Sequence, residues 1–312
     1  MTVSDIGEFG FLERIFPRLP ESRATLLGPG DDAALIAIRG GRVVATTDLL
    51  VEGRHFRLDW SSAHDIGRKA AAQNLADIAA MGGVGTALLI GLALPAELEV
   101  SWVEELADGF REECEPVGAG VVGGDVVRSE RGITIAVTAL GSMRGREAVT
   151  RAGARPGDLV AIVGRVGWSA AGLAVLSRGF RTPRALVDAH RFPQVPYAAG
   201  PVAADLGATA MCDVSDGLVA DLRRIAVASG VSIEITTETL EVTPQMRDAA
   251  QALGVDPVRW LLDGGEDHGL LATFPPGVEL PVSWRTIGRV VRGRGVYVDG
   301  ALSEDAGFDH FR

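Results

Sequence analysis

The chain has 312 residues, 47% of them hydrophobic and 23% charged, with a formal net charge of −11 and two cysteines. This is an ordinary globular composition, long enough for one or two domains. The acidic balance argues against nucleic acid or an anionic membrane as a partner, and Cys114 and Cys212, far apart, read as buried thiols in a reducing compartment.

Along the chain, MTVSDIGEFG has no basic n-region and no apolar h-region, so no signal peptide is expected. GPGDDAALI (28–36) sets Asp31 and Asp32 side by side at the edge of an apolar run. Gly, Pro and Asp form turns, and hard cations want carboxylates, so a turn and a metal site both fit. VVATTD (43–48) reads as a strand ending in an acid. HDIGRKAAAQNLADIAAMGG (64–83) reads as an alanine-rich helix stopped by Gly82 and Gly83. TALLIGLALP reads as a buried strand, too short to span a bilayer. SWVEELADGFREECEPVG is an amphipathic helix with Ser101 at its start. GAGVVGGDVV is a short strand running into Gly-Gly-Asp, and ITIAVTALGSM is another strand.

The composition then shifts. Residues 143–158 are polar, arginine-rich and contain Pro156-Gly157, which sets a boundary near residue 148 and two domains, 1–148 and 149–312. LVAIVGRV, ATAMCD, VSIEIT, GLLATF and SWRTIGRVVRG read as strands. WSAAGLAVLSRG, PYAAGPVAADLG, DGLVADLRRIAVASG and the stretch around TPQMRDAAQALG read as helices. Both halves mix the two, so the class is α/β or mixed α+β.

One theme recurs: apolar strand, glycine, acid. It occurs in GPGDD, ATTD, GGD, CDVSDG and DGGEDHG, and five instances point to a shared site for multivalent cations. For any one of them a plain turn or a helix cap is the simpler reading, and Asp213 and Asp216 bracket a helix start in that way. Asp77 differs, because it lies within a helix. Lys69, Gln73 and Asp77 share a face at i, i+4 spacing, either as a solvated stripe or as buried groups needing partners. There is no His/Cys set of zinc type, so magnesium suits these acids better. Lys69 is the only lysine, and no G-x-x-x-x-G-K-[ST] is present, so a nucleoside triphosphate would have to be held by other means.

GDDAALI, TTDLLVEGRHF, KAAAQNLADIAAMG, GGD, VTRAGARPGD, SAAGLAVL, DVSDGL, GGEDHGLL and GFDHF occur in that order. The chain thereby resembles the thiamine-monophosphate kinases from end to end, within the superfamily of aminoimidazole ribonucleotide synthetase and selenophosphate synthetase. The resemblance implies transfer of the γ-phosphoryl of ATP to thiamine monophosphate, in a protein that the absent signal peptide and the two separated cysteines lead one to expect in the cytoplasm. It implies a homodimer whose N-terminal sheets pair into a barrel, with a C-terminal α/β sandwich. It matches Asp32, Thr46, Thr47, Asp48, Asp77, Asp125, Asp213 and Asp216 to magnesium-binding positions. Gly124, Asp125, Arg151 and Ser215 match nucleotide contacts, and His55, Glu266 and Phe308 match positions that hold the thiamine part. Asp31 is a weaker candidate. The family form GGEDYEL is here GGEDHGLL, with His268 and Gly269 replacing an aromatic and an acid.

The chemistry needs no general base. A phosphate monoester has its second pKa near ~6 and is already an anionic nucleophile at neutral pH. The obstacle is the meeting of two polyanions, which bridging metal ions and an arginine would relieve. Arg151 and Asp216 are the residues expected to carry the reaction. A selenophosphate synthetase would show a reactive Cys near the N-terminal glycines, and none precedes Cys114. A purely regulatory nucleotide- or metal-binding protein on this fold would have lost several acids, and all are present.

Overall fold

The computed structural model describes residues 25–27, 31–38 and 41–303. Two mixed sheets organise them into a two-domain, mixed α/β architecture. The first sheet has the order β1 (Thr25–Leu27), β2 (Ala34–Ile38), β3 (Gly41–Val51), β6 (Thr134–Ser142), β4 (Val84–Leu94), β5 (Gly120–Arg128). Its neighbours are antiparallel except β4 and β5, which run parallel. Helices α1 (Ala63–Ala80) and α2 (Val100–Cys114) cover one face. Strand β6 alternates accordingly, with Ile135, Val137 and Ala139 buried toward those helices. The other face carries exposed Leu49, Leu89 and Val127.

The second sheet uses β7 (Leu159–Val163), β8 (Ala210–Asp213), β9 (Ser232–Ile235), β10 (Leu270–Phe274), β11 (Arg285–Val291), β12 (Gly295–Val298) and β13 (Ala301–Leu302). Their order is β13-β12-β9-β11-β7-β10-β8. The helices of this half are α3 (Trp168–Ser177), α4 (Arg184–Arg191), α5 (Ala199–Asp205), α6 (Leu218–Ser229), α7 (Pro244–Leu253) and α8 (Pro257–Asp263). Central strands β7, β8 and β10 are apolar almost throughout because both faces are covered. On one side Val160 and Ile162 pack with Val175, Leu222 and Met246. On the other, Ala161, Val163 and Ala272 pack with Ala203 and with Ala79 and Ala80 of α1. Helix α1 therefore touches both sheets, and its small alanine side chains let it sit in the wedge between them.

Several expectations need correcting. Asp48 does not end its strand; β3 runs on to Val51 and places the acid mid-strand. Asp125 likewise lies inside β5. Helix α2 begins at Val100 with Glu99 in the cap position, so Ser101 is already inside it. The short helices α4 and α8 had no place in the sequence reading. Asp256 followed by Pro257 was the signal for the second, since Asp256 caps Val258 N–H at 3.0 Å. Among the described residues no helix is long and apolar enough to cross a membrane.

Candidate active site

The polar face of α1 is not a solvated stripe. Lys69 and Gln73 are buried, and each polar side chain of that face has a partner on another segment. Thr46 Oγ1 donates to Asp77 Oδ2 at 2.7 Å. Gln73 Nε2 donates to Asp48 Oδ2 at 3.2 Å, and Asp48 N–H donates to Asn74 Oδ1 at 3.0 Å. Helix and strand are thus pinned to each other through the groups that carry the acids.

Three carboxylates converge there. Asp32 precedes β2, Asp77 is on α1, and Asp213 ends β8; each offers an oxygen within 4.8 Å of the others. At that separation each ionised pair repels by roughly 3–4 kcal/mol even at an effective dielectric constant of about 20. Three such pairs would cost as much as a whole domain is stable by, so the ion-free cluster must hold protons. The acids respond accordingly. Burial, then the charges of Asp213 and Asp31, push Asp32 up to about 7 against the pull of Arg151. Burial, then Asp48, Asp213 and Asp32, raise Asp77 well above the carboxylate range, and burial raises Asp48. Asp213 alone moves down: burial pushes it up, but the His268 bond and charge, with Arg151 and Arg224, outweigh that.

This donor set fits a hard divalent cation. It consists of carboxylate oxygens with no thiolate, and Asp32 Oδ2 is buried with no hydrogen-bond partner among the described residues.

Around the cluster, Arg151 Nη2 donates to Asp32 Oδ1 at 2.6 Å. The two oxygens of Asp31 accept from Arg151 N–H at 3.2 and 3.0 Å, so Asp31 acts as a clasp on the arginine's backbone. The end of β8 and the loop before α6 carry Asp213, Ser215 and Asp216, and the helix start is capped by neither acid. Asp221 Oδ2 instead accepts from the N–H groups of Ser215, Asp216 and Gly217 at 3.1, 3.1 and 3.2 Å. That leaves Asp213 facing His268 and Asp216 paired with Arg224. Ser215 O accepts from Glu266 N–H at 2.8 Å, which ties this loop to the Gly-Gly-Glu-Asp loop. Only glycine fits at 265, because a Cβ there would lie 2.1 Å from Ser215 O.

Glu266 is half-buried and bonded to Lys69 Nζ at 2.9 Å. Burial alone would raise its carboxyl, but Lys69 and then His190 hold it at about 2. His55 follows β3, and its Nδ1 accepts from Val51 N–H at 2.9 Å, which assigns the ring proton to Nε2 when neutral. Phe308 lies outside the described residues.

Three expected site residues are not brought to the cluster within this chain. Strand alternation sends Thr46 and Asp48 toward α1 and Thr47 to the opposite face, where its hydroxyl meets Thr138 Oγ1 at 3.1 Å and Val137 O at 3.0 Å. Asp125 and Gly124 lie on β5, exposed and three strands from β3, roughly 14 Å at about 4.8 Å per strand. Gly124 has a packing reason to be glycine: a Cβ would fall 1.9 Å from Ile90 O of the neighbouring strand.

Sequence reasoning passed over Asn74, Arg224 and the partner role of His268. Asn74 was one polar residue in an apolar helix, a visible signal. Arg224 and His268 had none, because their partners, Asp216 and Asp213, are chosen by loop packing.

Comparison with known proteins agrees across the chain. Residues 30–143 match the family model of AIR synthase related protein, N-terminal domain, and residues 155–299 match that of the C-terminal domain. A thiamine-monophosphate kinase from Mycobacterium tuberculosis is 48% identical, over 96% of this chain and 90% of its own length. One from Aquifex aeolicus is 37% identical over the whole of both chains. The solved structure of AaThiL complexed with AMPPCP and TMP superposes with a TM-score of 0.92 at 37% identity, covering 99% of each chain. A hydrogenase maturation protein, HypE, shares the fold with a TM-score of 0.70 at 21% identity, covering 93% of this chain and 96% of its own.

Proposed function

The chain belongs to the thiamine-monophosphate kinase family, and we infer from that membership that it transfers the γ-phosphoryl group of ATP to thiamine monophosphate, giving thiamine diphosphate and ADP. The observation that carries this is the convergence of Asp32, Asp77 and Asp213 from both halves of the molecule on one point. A phosphoryl transfer between two polyanions is mostly positioning and charge compensation, and a cation held by such a cluster supplies both.

Magnesium is the cation these oxygens suit. Asp32, Asp77 and Asp213 would hold it, with Asp48 and Asp216 beside them. When bound, it neutralises phosphate charge and keeps the reacting oxygens in line. The chain's own groups do the rest. Thr46 fixes the Asp77 carboxylate, and Gln73 and Asn74 fix Asp48. Arg151, clasped by Asp31, brings a guanidinium to the edge of the cluster, where it can face charge that develops on the transferred group. Ser215 and the backbone of its loop are the nucleotide contacts in this reading. His55, Glu266 and Phe308 surround the thiamine part. No residue needs to deprotonate the acceptor.

Asp125, Gly124 and Thr47 join the site through a second copy of the chain in this reading. What supports it is the uncovered face of the first sheet, with Leu49, Leu89 and Val127 at 53%, 40% and 54% exposure. Two such faces closing into a barrel would bury them and bring the outer-face residues of one copy toward the other. The same reading divides the chain at 148/149, supported by two sheets that share no strand. It assigns the protein to the cytoplasm, supported by the buried free thiols Cys114 and Cys212.

The test is ADP release by the purified protein with ATP and magnesium, with and without thiamine monophosphate. Release that depends on the acceptor, with thiamine diphosphate as product, is the expected result. Acceptor-independent release, or none, would refute it.

A further inference from the structure

Lys69 is the one lysine in a chain that uses arginine at every other basic position. It is also only 2% exposed. A buried ammonium is costly unless its donors are all met. Here they are: Nζ reaches His55 O at 2.9 Å, Glu266 Oε2 at 2.9 Å and His190 O at 3.4 Å. The three oxygens come from the turn after β3, the C-terminal turn of α4, and the loop between α8 and β10. Three acceptors converging on one point suit a compact ammonium with three rotatable donors. A planar guanidinium fork does not match them. The exception to the chain's arginine habit thus sits where only lysine geometry works.

Its anionic partner is held from a second side. Glu266 has φ of 62°, a backbone region uncommon outside glycine, and its N–H is bonded to Ser215 O at 2.8 Å. With Oε2 on Lys69, Glu266 Oε1 makes no hydrogen bond among the described residues, and the side chain keeps 34% exposure. His190 does not compete for the charge. Its Nδ1 meets Ser169 Oγ at 3.1 Å and stands back at 3.8 Å from Glu266 Oε2, and burial and then the Lys69 charge push the ring down to about 4, so it is neutral at neutral pH.

We propose that Lys69 is a positioning residue of the acceptor subsite: it holds Glu266 as a carboxylate in one orientation, with the outward oxygen presented to the cationic, amine-bearing thiamine moiety. It joins that subsite to α1, the helix that also carries Asp77. It does not touch the transferred phosphoryl group. The inference rests on the kinase reading and on Glu266 lying in the thiamine pocket.

The experiment is steady-state kinetics on the full-length protein for Lys69→Met, Lys69→Arg, Glu266→Gln and the double variant Lys69→Met/Glu266→Gln. Lys69→Met should raise KM for thiamine monophosphate about tenfold or more, with KM for ATP within about twofold. Lys69→Arg should keep the charge and the fold yet fail to restore the acceptor KM. The double variant should be no worse than Glu266→Gln alone, because Lys69 acts through Glu266. An unchanged acceptor KM in either lysine variant, or effects of the two sites that multiply, would overturn the proposal. If Lys69→Met does not fold, Lys69→Arg alone decides. Wild-type protein without acceptor-dependent turnover would refute the kinase reading itself, and the proposal with it; wild-type turnover with an indifferent Lys69 would refute the proposal only.

Discussion

His268 Nδ1 lies 2.7 Å from Asp213 Oδ2, and both side chains are closed off from solvent. Burial opposes charging of His268, but the Asp213 bond and charge outweigh it and raise the imidazole above its ordinary value. The histidine therefore acts as a built-in counter-charge for one of the three converging acids.

His268→Phe should accordingly lower metal-free stability by about 3–5 kcal/mol, the usual effect of leaving one member of a buried ion pair alone. Magnesium should recover more stability in the variant than in the wild type, since the cation then has an uncompensated carboxylate to meet. Urea unfolding with and without magnesium checks both; equal increments in the two proteins would contradict it.

Between pH 5 and pH 8 the pH dependence is set by Asp32 and His268, both moved up; Asp213, moved down, loses its contribution only as pH falls below 3.8. Asp32 is raised from 3.8 to about 7 in the folded protein, so the folded state holds a proton that the unfolded state has lost. Ion-free stability from this group is fully present below 3.8 and is lost as pH rises toward about 7. His268, also raised above its unfolded 6.5, loses its contribution in the same direction. The melting temperature without metal should fall between pH 5 and pH 8, and magnesium should release protons on binding and restore most of the loss. Thermal melts at several pH values, with and without magnesium, and the buffer dependence of the binding enthalpy are the measurements.

Asp77→Asn should separate stability from function. It replaces a carboxyl that burial and its acidic neighbours already keep protonated by a neutral amide of the same shape, so the stability of the ion-free protein should stay within about 1–2 kcal/mol. Turnover should fall by ~10²-fold or more, because a residue that holds the cation costs at least what its supporting groups do. Near wild-type turnover at saturating magnesium in this variant would show that Asp77 does not hold the cation.

Gly265→Ala should destabilise the protein by about 1–3 kcal/mol, since the new methyl would press on Ser215 O and neither loop can yield easily. Because the two loops move apart, both nucleotide and acceptor KM should rise. An effect on one substrate only would mean that the loops are independent.

Much of this molecule is legible in one dimension. The i, i+4 spacing of Lys69, Gln73 and Asp77 put three polar groups on one face of a helix whose residues from 70 to 80 are mostly Ala, Leu and Ile. A face like that, in such a helix, has to meet partners. The glycine-acid turns named most of the carboxylates. Alternation along β3 was also available, and it separates Thr47 from Thr46 and Asp48 once the strand is known to run to Val51.

The sequence by itself determined which residue types were on hand, on which helical face or strand side each lay, and where chain direction reversed, because these follow from local backbone geometry and short-range sterics. Only the tertiary structure decided which acids meet and which cation each one finds. Asp32, Asp77 and Asp213 stand far apart along the chain, and their meeting depends on α1 wedging between two sheets. Whether Asp213 faces His268, or Lys69 faces Glu266, is settled by the closing of the 213–217 loop against 264–269. Those choices are made by packing and by the cost of leaving a buried charge alone, quantities that exist only once the chain has closed around it.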